Sequence, residues 1–126
     1  ISGVPRALPS LHRAQKILKK AAKVGFDWPN EQAAFAKVEE EVEEVRQAMA
    51  SGNTEAVAEE IGDLLFAIAN LARYRDLYVE DLLHQAIAKF DSRFRTLEEI
   101  LAAQGRSPAE CSAEELLATW AESKRR

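Results

Sequence analysis

Four carboxylates in this chain stand at paired helical spacing: Glu41 with Glu44, and Glu60 with Asp63. Residues three apart lie on nearly the same face of a helix, so each pair forms a two-carboxylate comb. Two combs facing each other would make a cage for a hard cation. Oxygen ligands, with one cysteine and two histidines in the whole chain, point to magnesium, manganese or calcium. Facing carboxylates also repel, and some hold protons unless a cation neutralises them, so a cation gives the cluster a reason to exist. A bland reading stands beside this one. Acidic residues 39–44 also fit a solvated helix face, and the first-turn acids of the next helix complement its dipole. Asp63 weighs against the bland reading, because it lies beyond the first turn and abuts Leu64-Leu65-Phe66-Ala67-Ile68-Ala69, where an unpaired charge is costly.

The elements that must position these groups read as helices joined by short breaks. Pro5 and Pro9 mark residues 1–9 as an irregular lead-in, and Ser10 is the expected N-cap of a helix over 10–24 closed by Gly25. Its lysines, Lys16, Lys19, Lys20 and Lys23, read as a solvated face or a ligand surface. Phe26-Asp27-Trp28-Pro29-Asn30 connects it to a second helix over 31–50, with Asn30 as cap. An aromatic pair in such a connection packs on the core or stacks at a pocket rim. Along the second helix Phe35, Val38, Val42, Val45 and Met49 form an apolar stripe. At about 100° per residue Glu41 sits roughly 60° from Val38, so it is expected to flank that stripe. Gly52-Asn53 breaks the helix and Thr54 is the expected cap of a third, over 54–74.

After Asp63 this third helix is apolar on nearly every face through Leu71, apart from Asn70. Such a helix is normally buried all round, and a chain of 126 residues has difficulty wrapping it alone. Dimerisation through this helix is the expected solution. A fourth helix over 79–103 carries Leu83, Ala86, Ile87, Phe90, Phe94, Leu97 and Leu101 on one face, with Lys89 and Arg93 on its flank. Snorkelling from a buried face accounts for those two cations as well as a ligand role does. Gly105, Ser107 and Pro108 form a loop, and Ser112 with Glu115 makes a capping box for a last helix over 112–124. There Trp120 stands near Leu116 and Leu117, where core packing competes with any other use. The fold class is therefore all-α: a bundle of four to five helices in one domain, 1–126, completed by homodimerisation.

Composition bounds the function. With 47% hydrophobic and 30% charged residues the chain reads as a soluble globular domain. A net charge of −4 argues against a nucleic-acid polymer as partner, since phosphate backbones need a basic footprint. Cys111 is alone, which excludes an internal disulfide and a thiolate zinc site and fits a reducing cytoplasm. No apolar run reaches the roughly 20 residues needed to cross a bilayer, so no membrane partner is expected. The chain begins at Ile1 instead of Met, as a segment of a longer protein would.

Glu40-Glu41-x-x-Glu44 followed by Glu60-x-x-Asp63 resembles the signature of the MazG-type all-α nucleoside triphosphate pyrophosphohydrolases. The likeness extends through Gly3-Val4-Pro5-Arg6-Ala7-Leu8-Pro9, Gly25-Phe26-Asp27-Trp28, Lys37-Val38-x-Glu40-Glu41, Gly62-Asp63-Leu64-Leu65-Phe66-Ala67, Asn70-Leu71-Ala72-Arg73 and Lys89-Phe90-x-x-Arg93-Phe94. It is greatest to the C-terminal of the two MazG domains in the longer bacterial proteins. The resemblance implies hydrolysis of a nucleoside triphosphate to monophosphate and pyrophosphate with Mg2+, or Mn2+ in its place. By motif position it implies Glu41, Glu44, Glu60 and Asp63 as metal ligands and Glu40 as the residue positioning the attacking water. Lys89 and Arg93 would hold the triphosphate, with Trp120 near the base. It also implies a homodimer, as the third helix does independently.

Two departures stand out. Ile87 occupies a position where the family often carries Asn, and residues 74–78 replace the usual His-Leu-Gly connection, which is expected to lie apart from the chemistry. A di-iron bundle would need two Glu-x-x-His motifs, and Asp81-x-x-His84 lacks a twin. A noncatalytic helical dimerisation module and a regulatory nucleotide-binding module are the remaining alternatives.

Overall fold

A computed structural model describes residues 3–126; Ile1 and Ser2, the start of the predicted lead-in, lie outside the described residues. Five α-helices follow in order: α1 Ser10–Lys23, α2 Glu31–Ser51, α3 Thr54–Arg73, α4 Val79–Ala103 and α5 Ala113–Ser123, with a short 3-10 turn at Pro108–Glu110 before α5. No strand occurs among the described residues, and no helix is long and apolar enough to cross a membrane. Contacts divide the chain into two compact units, 1–82 and 83–126.

Helix ends follow local chemistry, with two corrections to the sequence reading. The first helix is capped at Pro9, with no side-chain cap, and Ser10 is already helical. The fixed ring torsion of proline presets the chain for the first turn, and Arg13 N–H donates to Pro9 O at 2.9 Å. The third helix is capped by Asn53, not Thr54: Asn53 Oδ1 accepts from the backbone N–H groups of Glu55 and Ala56. An Asx side chain reaches two orphan donors from that position, and Thr54 is left to begin the helix. Elsewhere the expected caps are in place. Asn30 accepts from Ala33 N–H. At the end of α1, Gly25 sits at φ 93°, with its N–H on Ala22 O and that of Phe26 on Ala21 O. That paired bonding requires a left-handed residue, which glycine adopts without a Cβ penalty.

In the first unit α3 packs against both α1 and α2. The face that α2 buries is Ala34, Glu41 and Ala48, seven residues apart and so nearly in line along the helix. The predicted stripe is displaced from it: Phe35, Val42 and Met49 are exposed. Small alanines let α3 approach closely, and this places Glu41 inside the packed face instead of on its flank. On α3 the buried residues are Ala67, Ala69 and Asn70, whereas Ile61, Leu65, Phe66 and Ile68 remain exposed, Leu65 at 51%. Gln15 of α1 is buried and fully used. Its Nε2 donates to Ala69 O and Leu77 O, and its Oε1 accepts from Val79 N–H, pinning α1 to the α3–α4 connection.

In the second unit the core is Leu97, Ile100 and Leu101 of α4 with Thr119 and Ser123 of α5. The predicted α4 face is therefore buried only near its C-terminal end; Leu83, Ile87, Phe90 and Phe94 are exposed. The capping box is present, with Ser112 Oγ accepting from Glu115 N–H and Glu115 Oε1 accepting from Ser112 N–H. Arg106 donates to the other Glu115 oxygen.

Candidate functional site

The carboxylate site is built where the central turns of α2 meet the N-terminal half of α3. The spacing that made the two combs brings Glu41, Glu60 and Asp63 together, with one oxygen from each within 4.8 Å of the others. Their environments are graded. Glu41 is buried at 7% exposure, Glu60 is half-buried and Asp63 is exposed. Burying Glu41 costs free energy unless its charge is matched. Half of the match comes from Lys37 one turn earlier, whose Nζ lies 3.1 Å from Glu41 Oε1. The other oxygen, Oε2, is buried and has no hydrogen-bond partner. An orphaned, buried carboxylate oxygen beside two further carboxylates is the donor set that a hard cation satisfies.

Protonation behaviour carries the same signature. The Glu60 carboxyl is pushed up from its ordinary value, first by removal of surrounding water, then by the adjoining Glu41 carboxylate and the charges of Asp63 and Glu44. Glu44 is thus close enough to Glu60 to repel it, although it stands outside the trio within 4.8 Å. Lys37 is held above its ordinary value, first by its bond to Glu41 and against the pull of desolvation, with the charges of Glu40 and Glu41 assisting. It is therefore a permanent ammonium at neutral pH. Glu40 is exposed and lies 3.4 Å from the same Nζ.

A cavity of about 280 Å3 adjoins the trio, lined by Lys37, Glu41 and Asp63 together with Leu18, Trp28, Phe66, Ala67 and Asn70.

The remaining sequence-derived candidates lie in the second unit. Lys89 is exposed and Arg93 half-buried, and neither has an ion pair among the described residues. Trp120 is half-buried, its ring 5.1 Å from that of Phe90 and inclined by 40°, while Phe90 stacks on Phe94 at 6.1 Å. Two residues escaped the sequence reading as site components. Lys37 was legible, since it stands four before Glu41, the spacing of a helical ion pair. Asn70 was legible as the single polar residue in an apolar segment. For the aromatic pair of the α1–α2 connection the sequence left core packing and a pocket rim open, and Trp28 lines the cavity.

Comparison with known proteins fits this geometry. Residues 30–97 match the family model described as the MazG nucleotide pyrophosphohydrolase domain. The chain is 43% identical over 129 aligned residues to the nucleoside triphosphate pyrophosphohydrolase of Escherichia coli, covering 99% of this chain and 48% of that protein. It is 37% identical over 117 residues to the nucleoside triphosphate pyrophosphohydrolase/pyrophosphatase MazG of Thermotoga maritima, covering 93% of this chain and 45% of that one. The chain thus spans about half the length of the curated relatives it matches. A family model that takes in both carboxylate combs and covers more than half of the residues places the chain in the MazG nucleotide pyrophosphohydrolase domain family.

Proposed function

We propose that this chain hydrolyses nucleoside triphosphates to the monophosphate and pyrophosphate, with the whole of 1–126 acting as one MazG domain. The observation that carries the proposal is the Glu41–Glu60–Asp63 trio with its orphaned Glu41 oxygen, in a chain of this family. Glu41, Glu44, Glu60 and Asp63 are the residues that would hold Mg2+, or Mn2+ in its place. A divalent cation there supplies neutralisation of phosphate charge and a more acidic water.

In the reaction a water oxygen bonds to the α-phosphorus and the bond from that phosphorus to the α–β bridging oxygen breaks. The electron pair of that bond leaves with pyrophosphate. Glu40 takes the proton of the attacking water, consistent with its exposed carboxylate beside Lys37. By motif position Lys89 and Arg93 cover the charge of the triphosphate, and Trp120 offers a ring to the base. The compartment is the cytoplasm, and neither a nucleic-acid polymer nor a membrane is a partner.

The chain works as a homodimer in this reading. Support comes from the exposed apolar residues of α3 and from a groove of about 710 Å3 lined by Phe35, Ile68, Leu71, Leu77 and Leu82, among others. Contiguous apolar surface of this kind marks an interaction site. Light scattering that finds a monomer at micromolar concentration overturns the dimer.

Activity is tested by incubating the protein with each common triphosphate and Mg2+ and measuring pyrophosphate. Release of inorganic phosphate alone, or no turnover with any triphosphate, overturns the proposal.

A further inference from the structure

The connection between α3 and α4 grips the loop between α1 and α2 with three consecutive side chains. Arg73 Nη2 donates to Asp27 Oδ1 at 2.5 Å. The Tyr74 hydroxyl lies 2.7 Å from the same oxygen and 2.8 Å from Trp28 O, so its one proton serves either acceptor. Arg75 makes a forked pair with both oxygens of Glu31 at the start of α2. Trp28 N–H also donates to Asp27 Oδ1, so three donors converge on one carboxylate oxygen. Desolvation works to raise the Asp27 carboxyl, yet the bonds from Tyr74, Arg73 and Trp28 outweigh it and hold the group below its ordinary value. Asp27 is therefore ionised, and the clamp closed, throughout the neutral range.

These bonds end on the walls of the carboxylate cavity. Arg73 Nε donates to Oδ1 of Asn70, which is 3% exposed and lines that cavity beside Trp28, Lys37, Glu41 and Asp63. One guanidinium thus holds one lining residue, Asn70, directly and another, Trp28, through Asp27, and it also lies 4.8 Å from the centre of the Tyr74 ring. Burying a tryptophan asks only for apolar contact. Holding its peptide at both ends, with the N–H on Asp27 Oδ1 and the carbonyl beside the Tyr74 hydroxyl, sets its position as well, and a small cavity changes its local dielectric when a wall moves.

We propose that Asp27 is a positioning residue for the carboxylate site: held by Arg73 and Tyr74, it fixes Trp28 as a wall of the cavity beside the buried Glu41 and keeps the cation of the cluster tightly bound. The cation-binding part stands on geometry, while its effect on turnover rests on the pyrophosphohydrolase reading above. Groups hydrogen-bonded to metal ligands change affinity or activity by roughly 10–100-fold; Asp27 bonds to Trp28, Arg73 and Tyr74 instead of to a carboxylate of the trio, so the low end of that range is expected.

The test measures Mn2+ affinity by electron paramagnetic resonance in the full chain and in Asp27→Ala, Asp27→Asn and Tyr74→Phe. The same changes made with Trp120→Phe, where Trp28 is the sole tryptophan, report its emission and its quenching by acrylamide. Asp27→Ala is expected to weaken Mn2+ by about 10-fold, with Trp28 emission shifted to the red and more readily quenched. Asp27→Asn, which keeps the acceptor oxygen, restores most of the affinity. Tyr74→Phe removes a single hydroxyl and weakens Mn2+ by about 3-fold with circular dichroism unchanged; this variant decides the matter should Asp27→Ala fail to fold. Unchanged affinity and emission in the folded variants overturn the proposal, as does an Asn variant no better than Ala. A parent that binds Mn2+ but releases no pyrophosphate from any triphosphate defeats the enzymatic reading and leaves the clamp standing. A parent that binds no Mn2+ defeats both.

Discussion

Two glutamates, Glu60 in the first unit and Glu115 in the second, meet opposite environments. Around Glu60 the neighbours are Glu41, Asp63 and Glu44, and its carboxyl is pushed up. Around Glu115 the Ser112 backbone N–H, the Arg106 guanidinium and the Ser112 hydroxyl favour the charge and bring it down to about 2. Glu115 is the third residue of α5, at its capping position, and Glu60 the seventh of α3, beyond the first turn, so the cap accounts for part of the difference. What separates them beyond that is whether the chain itself supplies the counter-charge. A satisfied carboxylate is a fastener of the fold; a crowd of partly satisfied ones holds repulsion that a proton or an added cation relieves.

The contrast breaks most visibly at the proposed ligands. Asp63→Ala or Glu44→Ala is expected to lower pyrophosphate release by at least about 100-fold, with far-UV circular dichroism unchanged because removing repelling charges does not unfold a helix pair. Activity retained in either variant would mean that the site lies elsewhere. Next in size is the response to the cation. Saturating Mg2+ at 100 times its Kd is expected to stabilise the chain by about 2.7 kcal/mol, read as a rise in Tm. Glu60→Gln should lose much of that rise while melting higher than the parent in chelator. The sign follows from the raised carboxyl: the stabilising, protonated form is fully present below pH 4.5 and is lost as pH rises through the folded value. At neutral pH the cation-free cluster therefore opposes folding.

At Glu115 the sign reverses. Its depressed carboxyl contributes stability that is present above pH 4.5 and lost as pH falls through about 2. Ser112→Ala should cost about 1 kcal/mol, and Glu115→Gln should flatten the acid limb of a Tm-against-pH profile while keeping an acceptor for Ser112. A third carboxylate gives the baseline. Asp76 sits at φ 54°, a left-handed conformation that penalises side chains, and Asp76→Gly is expected to raise stability by about 0.5 kcal/mol without altering Mg2+ response. A change in that response would undercut the distinction between site and fold.

Much of the scaffold was legible from the sequence. The fourth helix runs over 79–103 as its periodicity indicated, and Asn30, Gly25 and the Ser112–Glu115 box act as their residue types require. Local rules suffice there because caps and helix periods depend on atoms within one turn. They failed at Ser10 and Thr54, where two plausible caps stood side by side and only the actual backbone torsions chose Pro9 and Asn53.

The carboxylate types and their three-residue spacing were fixed by the sequence, since helix geometry alone aligns Glu41 with Glu44 and Glu60 with Asp63. Packing decided the rest. Close approach of α2 and α3 through Ala34 and Ala48 turned the packed face about 80° from the larger apolar stripe and drew Glu41 inside it. The same packing bent the α1–α2 loop within reach of Arg73 and Tyr74, so that Trp28 walls the cavity. Periodicity can say that a helix has an apolar side, but the side buried is the one whose shape lets its neighbour in, and that is a property of two helices together.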